Sequence, residues 1–221
     1  VDNTFTPLII TPKRLGADVV IHSLTKFING SSDCVAGVIC STKEFCDSLL
    51  DVNSGATMLL GPTLDSLRAS SILKNTRTLH LRMKQHSDNA SYLAAKLREK
   101  GIDVKYPGFK DHPGYELLSN IKNENYGYGG MLLINLGNKE KAYKLMEAMQ
   151  EANVGYLAVS LGFYKTLFSA PGSSTSSEIS EEEQKEMGLG EGLIRMSVGL
   201  DNNIQNTLKT IESCMEKVGI I

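Results

Sequence analysis

Two short runs near the start of the chain, Ala17-Asp18-Val19-Val20-Ile21 and Cys34-Val35-Ala36-Gly37-Val38-Ile39-Cys40, are rich in β-branched residues. Turn material, Gly30-Ser31-Ser32-Asp33, stands between them, so the pattern predicts two strands. Their apolar character is continuous where a half-exposed strand would alternate, which predicts strands buried on both faces and an α/β architecture. After Pro62 the period becomes helical: Leu64, Leu67 and Leu73 open a long helical stretch, and Ala90, Leu93, Ala94 and Leu97 continue it until Gly101. That stretch is expected to join two domains. Met131-Leu132-Leu133-Ile134-Asn135-Leu136 reads as a strand, Ala142, Leu145, Met146 and Met149 as the inner face of a helix. Residues 169–180, rich in Ser, Gly and Pro, read as a surface loop, and Ser180 with Glu183 has capping-box spacing ahead of a short helix stopped near Gly188. Leu193-Ile194-Arg195-Met196-Ser197-Val198 reads as a strand, and Ile204, Leu208, Ile211 and Met215 as one face of a final amphipathic helix.

A length of 221 residues allows a sizeable core in one large domain or two small ones. With 22% charged residues and a formal net charge of −2 there is no basic excess, so nucleic acid is not an expected partner. No apolar run has membrane-spanning length, and the first residues lack the features of a signal peptide; the cytoplasm is the expected location. Cys34, Cys40, Cys46 and Cys214 form no CxxC pair, and His22, His80, His86 and His112 have neither HxxxH nor HxH spacing, so neither a metal site nor a disulfide framework is expected. Val1 opens onto what reads as the end of a strand, as expected of a domain whose earlier part lies upstream.

Candidate chemistry concentrates in His22-Ser23-Leu24-Thr25-Lys26-Phe27, which sets two hydroxyls before a lysine just beyond a strand. Ligand crevices form at strand ends in α/β sheets, and a lysine that loses hydration there becomes a neutral nucleophile. A lysine after a strand is also commonly a solvated surface residue, and the local pattern leaves both readings open. The run resembles the Ser-x-Thr-Lys signature of the cysteine/methionine-metabolism pyridoxal-phosphate family, and Asp2-Asn3-Thr4-Phe5 is similar to that family's Asp-Asn-Thr-Phe segment one strand upstream. The resemblance implies that Lys26 carries pyridoxal 5'-phosphate as a Schiff base. It further implies that Asp2 pairs with the pyridine nitrogen, that Ser23 and Thr25 hold the phosphate, and that Thr4 lies in the cofactor surroundings.

Farther along, Ala158-Val159-Ser160-Leu161-Gly162 resembles the family's Ser-Leu-Gly segment, and Arg195-Met196-Ser197-Val198-Gly199 its Arg-x-Ser-x-Gly strand. By resemblance, Ser160 and Arg195 bind the α-carboxylate of an amino-acid substrate; an arginine suits that task because its planar fork donates two parallel hydrogen bonds. The implied fold is the end of an aspartate-aminotransferase-like, fold type I large domain over residues 1–77, with its N-terminal part missing, followed by a smaller α+β C-terminal domain over residues 78–221. The implied activity is that of a carbon-sulfur lyase on a sulfur amino acid. Gly162-Phe163-Tyr164 and the segment from Pro171 to Glu178 look most like plant-type methionine γ-lyases and depart from the His-Pro-x-x-Met-Thr-His pattern of many relatives. Cystathionine γ-synthase, O-acetylhomoserine sulfhydrylase and the cystathionine lyases remain alternatives, as does a truncated, non-catalytic assembly partner. The family also implies a homo-oligomer, a dimer of dimers, and a site that needs the N-terminal portion.

Overall fold

The computed structural model describes residues 1–171, 183 and 190–221. Strands β1 (Val20–Ser23) and β2 (Gly37–Cys40) pair antiparallel, with Ile21 opposite Ile39. Asp2 bridges to Ile21 in parallel, so the first residues lie alongside β1. The connection between the strands begins with one π-helical turn, Leu24–Ile28, whose backbone leaves helical values at Lys26 (φ −87°, ψ −133°). Both strands are where the β-branched runs predict them, but they are not buried on both faces. Ile21 and Ile39 are each 41% exposed. Apolar runs record the surroundings a strand suits, and within the described residues too little packs on this pair to supply them.

Three short or medium helices follow, α1 (Lys43–Ser48), α2 (Ala56–Leu60) and α3 (Ser66–Thr76), and then the long α4 (Leu79–Glu99). Asp65 caps α3 by accepting from the amides of Leu67 and Arg68 at 3.1 and 3.0 Å. The single helical stretch expected after Pro62 is interrupted between α3 and α4. There the Thr78 hydroxyl donates to the Asn75 carbonyl (3.1 Å), a local side-chain bond that competes with the helical ladder and that apolar spacing cannot reveal. Gly101, with φ +82°, follows the end of α4 as predicted.

The rest forms a five-stranded sheet in the order β3-β4-β7-β6-β5, from β3 (Asp103–Lys105), β4 (Met131–Asn135), β5 (Gly155–Leu157), β6 (Thr166–Ser169) and β7 (Leu193–Ser197). All pairs are antiparallel except β5 with β6. A short helix, α5 (Tyr115–Ile121), precedes β4. Helices α4, α6 (Lys139–Glu151) and α7 (Ile204–Val218) cover one face, where Leu93, Leu97, Leu132, Ile134, Leu145, Met149, Ile194, Met196, Ile211 and Met215 join one core. The periodic positions read from the sequence in α6 and α7 are buried. Ser169 ends β6, while the loop and capping box expected over residues 170–188 lie almost wholly outside the described residues. No helix among the described residues is long and apolar enough to cross a membrane.

Candidate active site

Successive strand residues face opposite sides, and this alternation positions the arginine. Ile194 and Met196 point into the helix-covered core, so Arg195 and Ser197 point to the other face of the sheet. The crossover between β5 and β6 lies over that face: the Gly162 amide donates to Ser197 Oγ (2.9 Å), and Arg195 Nη2 donates to the Ser160 carbonyl (3.2 Å). The same crossover reaches the residues just after the π-helical turn, because the Tyr164 amide donates to the Gly30 carbonyl (3.1 Å).

Lys26 Nζ donates to Ser160 Oγ at 2.9 Å. Lys26, Ser160 and Arg195, which the sequence holds far apart, therefore meet at one residue of one loop. Burial first, and the Arg195 charge second, hold the Lys26 ammonium below the ordinary lysine range. Burial likewise lowers Arg195 from the usual arginine value.

Gly162 makes the close approach possible. Its φ is +73°, and a Cβ there would stand 2.4 Å from the Phe27 nitrogen and 2.8 Å from its Cα. Replacing Gly162 with Ala is expected to cost about 2–4 kcal/mol, by adding left-handed backbone strain to a backbone clash. Chemical denaturation of the two proteins checks this; a loss under 1 kcal/mol, about the noise of such a comparison, would mean that the crossover shifts freely.

Asp2 and Thr4 lie beside β1. The Thr4 hydroxyl, and then its amide (2.8 Å to Oδ1), hold the Asp2 carboxyl below its usual range, with His22 a lesser contributor. Thr4 Oγ1 also accepts from the Ser23 amide (2.8 Å), tying the Asp2 segment to the end of β1. The Ser23 hydroxyl makes no hydrogen bond to a described residue. Thr25 Oγ1 accepts from the Ala36 amide at 3.0 Å and reaches the Ala36 carbonyl only at 3.4 Å, so its proton is weakly committed. His22, in the motif but without a role read from it, buries Nδ1 with no hydrogen-bond partner among the described residues; burial pushes its pKa down while Asp2 and then the Asn3 backbone oppose the shift. Across the β6–β7 register from Arg195, Ser169 also buries a hydroxyl without a partner among the described residues. Neither orphan has a sequence signal, since each depends on what packs over it.

An amine of lowered pKa, a carboxylate held ionised and hydroxyls with protons to give are a donor set that fits a phosphorylated pyridine aldehyde: imine, ring nitrogen and phosphate in turn. Comparisons with known proteins agree with that chemistry. The model of the family described as "Cys/Met metabolism PLP-dependent enzyme" matches residues 1–216. The methionine gamma-lyase of Arabidopsis thaliana is 45% identical over 200 residues, covering 90% of this chain and 45% of that protein. The L-methionine gamma-lyase of Fusobacterium nucleatum subsp. polymorphum is 36% identical over 221 residues, 99% of this chain and 54% of that protein. Among solved structures, cystathionine gamma-lyase from yeast superimposes with a TM-score of 0.89 at 32% identity, over 99% of this chain and 55% of that one. The chain thus spans about half the length of the relatives it matches.

Proposed function

Because the chain belongs to the Cys/Met-metabolism PLP-dependent enzyme family, we propose that it forms the lysine- and arginine-bearing part of a carbon-sulfur lyase acting on a sulfur amino acid, and within that class a methionine γ-lyase. The observation that most supports a site here is the meeting of Lys26 and Arg195 at Ser160. The choice of methionine rests on the names of the relatives just described, two of which are methionine gamma-lyases.

Bound pyridoxal phosphate supplies an electron-poor ring that spreads negative charge from the carbon next to it. In this reading Lys26 Nζ would hold the cofactor aldehyde and, as a free amine, would take the proton from the substrate Cα. A base tethered beside the reacting carbon contributes several kcal/mol, on the order of 7 or more when well aligned. Arg195 binds the α-carboxylate through its fork with Ser160 beside it, which orients the Cα–H bond toward the amine. Asp2, held ionised by the Thr4 hydrogen bonds, would keep a proton on the ring nitrogen, and Ser23 and Thr25 would donate to the phosphate, with Thr4 in the cofactor surroundings. Methionine and water would yield methanethiol, 2-oxobutanoate and ammonia.

We place the boundary between the cofactor-binding portion and the smaller C-terminal domain after residue 77. Leu50, Leu59, Leu60, Leu67 and Leu73, on and between α1, α2 and α3, are all more than 60% exposed. Such a surface suits burial against further polypeptide: here the half of the relatives' length that this chain does not match, and further copies in a homo-oligomer. The same exposure favours a second reading, an assembly partner without activity of its own; the joint presence of Lys26, Ser160 and Arg195 at one point favours the enzyme.

Supplied with pyridoxal phosphate and with the portion that completes the site, the purified protein is expected to release methanethiol and 2-oxobutanoate in equal amounts from methionine. Cystathionine and O-acetylhomoserine serve as competing substrates. Turnover of either of these with none of methionine would replace the specificity, and no turnover of any substrate would favour the assembly partner.

A further inference from the structure

Helix α4 carries a row of polar side chains, Arg82, His86 and Asn89, at spacings of four and three, which puts them on one face over about 10 Å. Arg82 hydrogen-bonds backbone of the Lys26 turn, and His86 and Asn89 backbone of the residues that follow β7. Arg82 Nη1 donates to the Phe27 carbonyl, and Nη2 donates to the carbonyls of Ile28 (2.7 Å) and Asn75 (3.1 Å). Its Nε donates to Thr78 Oγ1 at 3.1 Å. His86 Nδ1 contacts the Val198 carbonyl at 2.7 Å, and its ring meets Phe27 edge-on with centroids 5.1 Å apart. With the pKa of His86 pushed down by burial to about 4, the ring is neutral at physiological pH and Nδ1 is the donor. Asn89 Nδ2 donates to the carbonyls of Gly199 and Asp201, both at 2.9 Å.

Arg82 has no carboxylate within ion-pair reach among the described residues. A partly buried guanidinium is costly to desolvate, and here only neutral oxygens compensate it, two of them the carbonyls directly after Lys26. Gly30 leaves room for it: with φ +73°, a Cβ there would stand 2.6 Å from Arg82 Nη1. The turn that bears Lys26 is therefore held by Arg82 and packed closely against Gly162, while His86 and Asn89 hold the residues that follow β7.

We propose that Arg82, backed by His86 and Asn89 along α4, is a positioning residue that fixes the Lys26 turn at a set offset from the Arg195 strand, so that the amine and the guanidinium both reach Ser160. A helix is stiff, and its three side chains read off that offset directly. The inference builds on the reading of Lys26 and Arg195 as site residues, and it predicts that disturbing the row changes the surroundings of the amine as well as stability.

The test acetylates the full chain, freed of cofactor, with acetic anhydride, which transfers an acetyl group to the neutral amine and leaves as acetate; modification at Lys26 is followed across pH by mass spectrometry. Arg82→Gln is expected to move the labelling midpoint up toward that of an ordinary lysine, because the amine leaves its desolvated place beside Arg195. In the cofactor-loaded protein the same substitution is expected to lower kcat about tenfold to a hundredfold, with KM changed less than about threefold. Arg82→Lys, which keeps one donor group, is expected to fall between. A lowered melting temperature with both the midpoint and kcat at their unsubstituted values would overturn the proposal. If Arg82→Gln does not fold, Thr78→Val removes the acceptor at Nε, together with the hydroxyl's bond to the Asn75 carbonyl, while leaving the guanidinium's bonds to the Phe27 and Ile28 carbonyls, and is expected to shift the midpoint in the same direction by less; no shift there also overturns it. Labelling needs no sulfur amino acid, so failure of the lyase reading, seen as no thiol from unsubstituted protein, is distinguishable from failure of this one.

Discussion

Replacing Lys26 with Ala is expected to lower turnover of the sulfur amino acid at least about a thousandfold, because the change removes both the anchoring amine and the base at Cα. The visible absorption of lysine-bound cofactor is expected to disappear with it, while thermal stability of the cofactor-free protein changes little, since the one side-chain hydrogen bond lost among the described residues is that to Ser160 Oγ. The pH dependence of kcat, which reports the substrate-bound protein in which the Lys26 amine is free, has a sign fixed by the causes of the shift. Burial and the neighbouring Arg195 both disfavour the ammonium, so the neutral amine is populated at lower pH than for an ordinary lysine, and the activity limb that reports it lies correspondingly low. Stopped-flow absorption and steady-state assays on the same preparation decide the matter: Lys26→Ala protein that kept its absorption and turnover would remove the basis of the whole assignment.

Replacing Arg195 with Lys is expected to raise KM about tenfold to a hundredfold with a smaller effect on kcat, because a point charge cannot reproduce two parallel bonds to a carboxylate. The fold has reason to tolerate the change. Arg195 faces away from the core to which Ile194 and Met196 contribute, and among the described residues its hydrogen bond goes to one carbonyl, that of Ser160. Since the positive charge is kept, the low-pH limb set by Lys26 is expected to stay near its place, whereas the uncharged Arg195→Met should let it rise. Titration with a non-reacting α-amino carboxylate measures binding directly, and unchanged affinity in Arg195→Lys would exclude a fork at the carboxylate.

The amino-acid sequence determined the local chemistry of this protein: a lysine after a β-branched run, an aspartate-threonine pair, an arginine between two apolar strand residues, and the helical periods of α6 and α7. These are legible because period, capping and turn preferences act over a few residues. It misjudged the surroundings of β1 and β2, whose continuous apolar runs promise cover on both faces that the described residues do not provide, and it joined α3 to α4 because apolar spacing takes no account of a threonine that bonds the preceding turn. Only the tertiary structure decided which distant residues share a site. Ser160 bonds Lys26 with its hydroxyl and Arg195 with its carbonyl, and the row from Arg82 to Asn89, ordinary polar positions on a helix when read in sequence, turns out to bind carbonyls of the turn and the strand end. Side-chain hydrogen bonds across more than a hundred residues depend on how helices and sheet pack, and no local pattern in the chain encodes that distance.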